Sequence, residues 1–169
     1  MDAKNLVLEI TESSDEFIHM LSRFNNEQLN ATPFAGSWTA GQVADHIRKA
    51  TDGLPDANTK PSGRDPELYV QTLQSLFLDF TVKYESPEFI VPDKGPFEIV
   101  SQLKQLEQVK IKNSAIASEK ELDRLCLDFE MPGLGHLTRY EWLKFIVAHT
   151  KRHAYQLKNI AKKILPLHV

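Results

Sequence analysis

Cysteine is nearly absent from the chain: there is one, Cys126, in 169 residues. A lone cysteine excludes an internal disulfide framework and any cysteine-based zinc cluster. Long apolar runs are missing too. No stretch reaches the roughly 18 apolar residues of a membrane-crossing helix, so no membrane partner is expected. A basic surplus is also lacking, since 20 Lys and Arg against 23 Asp and Glu leave a net charge of −3. That balance argues against a dedicated nucleic-acid binder. The opening residues Met1-Asp2-Ala3-Lys4-Asn5 do not follow the pattern of a secretory signal, and a reducing, cytoplasmic setting is the expectation. What remains is ordinary globular material. With 41% hydrophobic and 25% charged residues, residues 1–169 are expected to form a single domain with a sizeable core.

The charge is uneven. From Arg139 onward seven Lys and Arg face one acid, Glu141. A solvated helix face accounts for this, with cations favoured near the negative end of a helix dipole.

Apolar spacing points to helices throughout. Leu6, Val7, Ile10, Phe17, Ile18, Leu21 and Phe24 mark a first helix over about Ala3–Phe24, interrupted by Asn25-Asn26. After a loop at Thr32–Ser37, Thr39 and Gln42 form a capping box that opens a second helix with the stripe Val43, Ile47, Ala50. Gly53–Pro66 reads as a long loop, and Asp65-Pro66 as the cap and first residue of a third helix carrying Leu68, Leu73, Leu76, Phe77 and Phe80. Tyr84–Pro96 is a second loop, and Phe97–Ala117 a further helix. Leu122–Leu137 is irregular, with a short extended piece near Leu125–Phe129. A second capping box, Thr138 and Glu141, opens a last helix that runs to about Ile164, where Pro166 stops it. The expected fold is all-α: a bundle of four or five helices, up-and-down or crossover, with long loops between them.

The last helix carries the main chemical signal. Its inward stripe reads Trp142, Ile146, His149, His153, Leu157, Ile160, Ile164, the period of a core-facing helix. Two imidazoles therefore stand where apolar residues belong. Four residues apart, they sit about one turn, roughly 6 Å, from each other on one face, and one divalent metal can take both. His46, beside the stripe of the second helix, is a third candidate if the two helices are neighbours. A core histidine bonded to a nearby group is the ordinary alternative, but two buried imidazoles without partners would each cost about 1–3 kcal/mol. His19, His136 and His168 are weaker candidates. Gln156, near the stripe, is a candidate for lining the site. Cys126, in the apolar step Leu125-Cys126-Leu127 with only Arg124 as a basic neighbour, is a poor nucleophile.

Two segments resemble a known family. Trp38-Thr39-Ala40-Gly41-Gln42-Val43-Ala44-Asp45-His46-Ile47 is similar to the second-helix motif of the DinB-like superfamily, where a tryptophan and a capped helix precede one metal-binding histidine. Gly135-His136-Leu137-Thr138-Arg139-Tyr140-Glu141-Trp142-Leu143, followed by His149-Thr150-Lys151-Arg152-His153-Ala154-Tyr155-Gln156-Leu157, resembles its last helix. The likeness implies a DinB-like four-helix bundle. It implies one divalent metal per chain on His46, His149 and His153. It also implies a homodimer, to which Phe77, Phe80 and Tyr84 could add aromatic area.

Three neutral imidazoles with an open position form a catalytic type of site. Nitrogen donors suit nickel, zinc, copper or iron, with nickel or zinc expected here. Characterised members of the superfamily include thiol transferases and isomerases that use bacillithiol or mycothiol. The resemblance thus implies a metal-dependent enzyme acting on a small molecule, with thiol S-transfer one reaction and metal-dependent hydrolysis another. Arg152 or Lys151 could hold carboxylates of the thiol. A non-catalytic metal-binding or small-molecule-binding stress protein is the alternative from another class. The open position is expected in a cleft walled by Trp142 and the loops Thr32–Trp38 and Gly53–Pro66.

Overall fold

The computed structural model describes residues 1–166; His168 lies outside them. Six α-helices are present among the described residues: α1 (Ala3–Leu21), α2 (Asn26–Asn30), α3 (Ala40–Thr51), α4 (Val70–Phe77), α5 (Ile99–Glu119) and α6 (Arg139–Ile164). A single 3-10 turn spans Glu88–Ile90. Two three-residue strands, β1 (Thr59–Pro61) and β2 (Arg124–Cys126), pair antiparallel with Thr59 opposite Cys126. The fold is all-α, as expected, and no described helix is long and apolar enough to cross a membrane.

Four helices make the bundle. α1 packs on α5 and α6, and α3 packs on the same two, so α1 and α3 stand on opposite corners. Contacts along the helices fix their directions. Glu9 meets Lys144 and Phe17 shares a cluster with Ala154, so α1 runs parallel to α6. Gln102 reaches the Gly41 carbonyl and Asn113 the Thr51 carbonyl, so α5 runs parallel to α3. Parallel α3 and α5 need a long return connection. Residues 52–98 supply it, carrying β1, α4 and the 3-10 turn, and the bundle is of the crossover kind.

Both expected capping boxes form. The Thr39 hydroxyl accepts from Gln42 N and the Gln42 side chain accepts from Thr39 N; Thr138 and Glu141 do the same for α6. A third box, Asn25 with Gln28, starts the short α2, which an Asn-Asn break does not suggest. The third long helix begins later than its Asp65-Pro66 signal implies. Asp65 instead accepts from the Glu67 backbone in a local turn, and α4 begins at Val70 with no side-chain cap. The cause lies across the bundle: the Tyr69 N–H donates to Glu141 Oε1 at 2.9 Å, which holds the chain out of helix until that point. The extended piece near Leu125 is real but pairs with a strand inside the Gly53–Pro66 loop. Gly41 is buried in α3, where a Cβ would lie 2.6 Å from the Phe97 ring; this close approach seats the start of α5 against α3.

Two apolar clusters stack along α6. One takes Tyr140, Trp142, Leu143, Phe145, Ile146 and Val147, and the other takes Ala154, Leu157, Ile160 and Ala161 with Val43, Ala44 and Ile47 of α3. The polar residues His149, Thr150 and His153 occupy the seam between them, all buried.

Candidate metal centre

α6 is buried all round from Tyr140 to Thr150, because α1, α3 and α4 all pack on it. His149 and His153 are both buried, and α3 brings His46 to meet them. The three ring centroids are 4.6–5.2 Å apart. One nitrogen from each ring lies within 4.8 Å of the others. The three candidates named from sequence converge, and the two helices are neighbours as expected.

Hydrogen bonds assign the ring nitrogens. His46 Nδ1 is 2.8 Å from the Ile90 carbonyl, which only accepts, so Nδ1 carries the proton. His153 Nδ1 is 2.7 Å from Gln156 Oε1 and donates likewise. Nε2 of both rings is then a bare lone pair. His46 Nε2 lies 3.1 Å from His149 Nε2. Of the two, only His149 can supply a proton to this contact, and its Nδ1 is buried and without a partner.

Burial, above all, keeps the rings uncharged. It lowers His46 below the ordinary imidazole value against the opposing pull of the Ile90 hydrogen bond. It brings His153 down to about 3, helped by the nearby His46, and holds His149 well below the ordinary imidazole value, with His153 and His46 adding to the effect. Neutral imidazoles are what a metal needs. Two nitrogens bonded to one ion at about 2.0–2.1 Å stand roughly 3.0–3.4 Å apart, and the His46–His149 spacing already satisfies this. The residues fit a divalent ion: three neutral nitrogen donors, two of them oriented through their other nitrogen, as metal-bound histidines usually are.

The walls differ from expectation. The Trp38 ring is 5.0 Å from His46 and lies nearly parallel to His153 at 6.5 Å, so the Thr32–Trp38 loop contributes as expected. Trp142 does not face the site. About two turns before His149, it packs edge-on against Phe129 and Phe145. Phe145 and Phe77 take its place, 5.1 and 5.6 Å from His149. The Gly53–Pro66 loop is drawn instead to the start of α6, where Arg64 forms a bidentate pair with Glu141. The fourth side is the Tyr84–Pro96 connection, which sequence left without a role; its contribution is a backbone carbonyl, so no residue type announces it.

Other candidates resolve plainly. Arg152 is not free to hold a carboxylate, because its guanidinium donates to the carbonyls of Phe77, Asp79 and Val82. Lys151 is exposed. Gln156 orients His153. His19 is exposed, and His136 pairs with Glu130 at 3.3 Å, away from the triad. Burial first, then Asp56, pushes the Cys126 thiol up to about 12, in keeping with a poor nucleophile. Of the basic residues of α6, Lys144 pairs with Glu9 and Arg139 with Asp56, so the positive face is smaller than the sequence suggests. A cavity of about 410 Å³ beside α5, lined by Leu54, Asp56, Lys112 and Lys120 among others, shares no residue with the triad.

Residues 9–157 match the sequence profile of the DinB superfamily. The chain is similar to the uncharacterized protein YuaE of Bacillus subtilis (strain 168), 32% identical over 158 residues, covering 85% of this chain and 90% of that one. No solved structure matches the chain.

Proposed function

The chain belongs to the DinB superfamily, and we propose that it is a metal-dependent enzyme holding one divalent ion, nickel or zinc, on His46, His149 and His153. The observation that supports this most is the convergence of three buried histidines in the seam between two apolar clusters. Three protein donors leave an open position, the mark of a catalytic rather than a closed structural site. A divalent ion there supplies Lewis acidity and lowers the pKa of a thiol or water that reaches it.

The protein groups do the rest. The Ile90 carbonyl and Gln156 Oε1 fix two rings with Nε2 facing inward. Trp38, Phe77 and Phe145 exclude water around the histidines, which strengthens every polar interaction within. The reaction we propose is S-transfer: the sulfur of a low-molecular-weight thiol bonds to an electrophilic carbon, the leaving group departs with its electron pair, and the thiol proton passes to solvent. The apolar aromatic walls suit an uncharged electrophile. We place the enzyme in the cytoplasm, in keeping with its single, buried, free cysteine. We propose that it acts as a homodimer, for which the exposed apolar residues Leu76, Leu78, Phe80, Val82 and Tyr84 offer area.

The test is turnover. Protein loaded with Ni²⁺ or Zn²⁺ is expected to accelerate the reaction of a small thiol with monochlorobimane, and His153→Ala to abolish it. Hydrolysis of ester or phosphoester substrates instead would move the reading to water activation. A fully loaded protein inert toward a thiol panel and toward hydrolase substrates would overturn the enzyme reading in favour of a binding module.

A further inference from the structure

His46 owes its orientation to one backbone carbonyl, Ile90 O, on a segment with little structure of its own. Between α4 and α5 the described chain has only the 3-10 turn Glu88–Ile90. A carbonyl can select the tautomer of a ligand histidine only if it is itself held in place.

One face of α3 does the holding. Asp45 is buried, and its Oδ2 accepts from the Asp93 N–H at 2.9 Å. Lys49 donates to the Val91 carbonyl at 3.0 Å and to Asp93 Oδ1 at 2.8 Å, and lies 3.0 Å from Asp45 Oδ2. Arg48 occupies the other oxygen, Asp45 Oδ1, at 2.7 Å. Asp45 and Lys49 are one turn apart on the helix and flank His46 in sequence, so the same turn that presents the imidazole grips the segment that orients it. Both groups address residues 91–93, immediately after Ile90, and neither hydrogen-bonds an imidazole.

We propose that Asp45 and Lys49 are positioning residues of the histidine site: they pin Val91–Asp93 across α3, so that the Ile90 carbonyl holds the His46 proton on Nδ1 and leaves Nε2 free to bind. The inference rests on the metal-site reading for its purpose, but its first readout does not require a metal.

In the metal-free full-length protein, ¹⁵N NMR of the histidine rings is expected to show His46 as a single Nδ1–H tautomer. In Asp45→Ala this gives way to a mixture, and Co²⁺ affinity, read from the visible spectrum, falls about 10–100-fold. Asp45→Asn keeps an oxygen for the Asp93 N–H and is expected to fall between the two. Lys49→Met serves if Asp45→Ala does not fold, and shifts both readouts the same way. Both variants keeping the Nδ1–H form and wild-type Co²⁺ affinity would overturn the proposal. A wild type that binds no Co²⁺, Ni²⁺ or Zn²⁺, yet loses its single tautomer in Asp45→Ala, would sink the metal reading and leave the positioning role standing.

Discussion

His46 Nε2 and His149 Nε2 lie 3.1 Å apart although 103 residues separate them in sequence. Only one proton can occupy that gap. The His46 ring carries its own proton on the far side, toward Ile90, and His153 points its proton at Gln156. His149 Nδ1 is buried and unpartnered, at a cost of about 1–3 kcal/mol. An ion would replace the N–H···N contact by coordination and move the His149 proton to Nδ1, which has no partner in either case.

Metal content follows directly. Protein purified without chelator is expected to hold about one divalent ion per chain by elemental analysis. His149→Ala removes one of three donors and is expected to lose most of it. Equal occupancy in wild type and variant would contradict the assignment of the ligands.

The second prediction concerns what holds α6 in register. Glu141 is fully buried and accepts from Arg64, from Tyr69 N and from Thr138 N. Its carboxylate thus joins the cap of α6 to the approach of α4, which carries Phe77 to the site. Glu141→Ala orphans two backbone donors and removes the counter-charge of Arg64, which keeps its bonds to the Asp65 and His136 carbonyls. A buried donor left unpaired costs about 1–3 kcal/mol, and urea denaturation is expected to show a loss of at least that size. A loss below about 1 kcal/mol would mean the network is not buried as described.

How far the sequence foretold these features depends on the kind of contact. The stripe and capping boxes of α3 and α6 were legible, because periodicity and caps are local, and so were His46, His149 and His153. Residues 65–69 misled: Asp65-Pro66 is a sound local helix start, but Glu141, 72 residues from Tyr69, claims the Tyr69 N–H and delays the helix. Phe145, one turn before His149, faces it by helix geometry alone, whereas Trp142 packs on Phe129, which lies outside the helix, a contact that periodicity does not show. Ile90 was invisible because its role belongs to a carbonyl that every residue has.

Cys126 supplies a pH-dependent prediction. The folded thiol is raised to about 12, well above a free thiol near 8.5. Above about pH 8.5 the unfolded chain releases a proton that the folded chain keeps. Folding stability therefore falls as pH rises through this window, by up to about 1.4 kcal/mol per pH unit. The same burial makes the thiol inert. At pH 8 the native protein is expected to react negligibly with a disulfide reagent such as DTNB, and the urea-unfolded chain to yield one thiol per chain. Rapid labelling of the native protein would remove the case against a nucleophilic role.

Removing the metal separates a catalytic ion from a structural one. The two clusters along α6 are each completed by apolar side chains from α1 and by partners from the other helices, and both capping boxes and the Arg64–Glu141 pair form without help from the triad. Nothing outside the seam depends on an ion for its packing. EDTA is therefore expected to leave far-UV circular dichroism unchanged and unfolding cooperative. Tm should drop only by the linkage to binding, since an ion present at 100 times its Kd stabilises by about 2.7 kcal/mol. Re-adding Zn²⁺ or Ni²⁺ should restore Tm in a concentration-dependent way, and His149→Ala should show neither the drop nor the recovery. A protein that loses its helicity on chelation would be of the folded-holo, unfolded-apo kind. The ion would then belong to the architecture, and the three histidines would be read as a structural staple between two otherwise incomplete clusters.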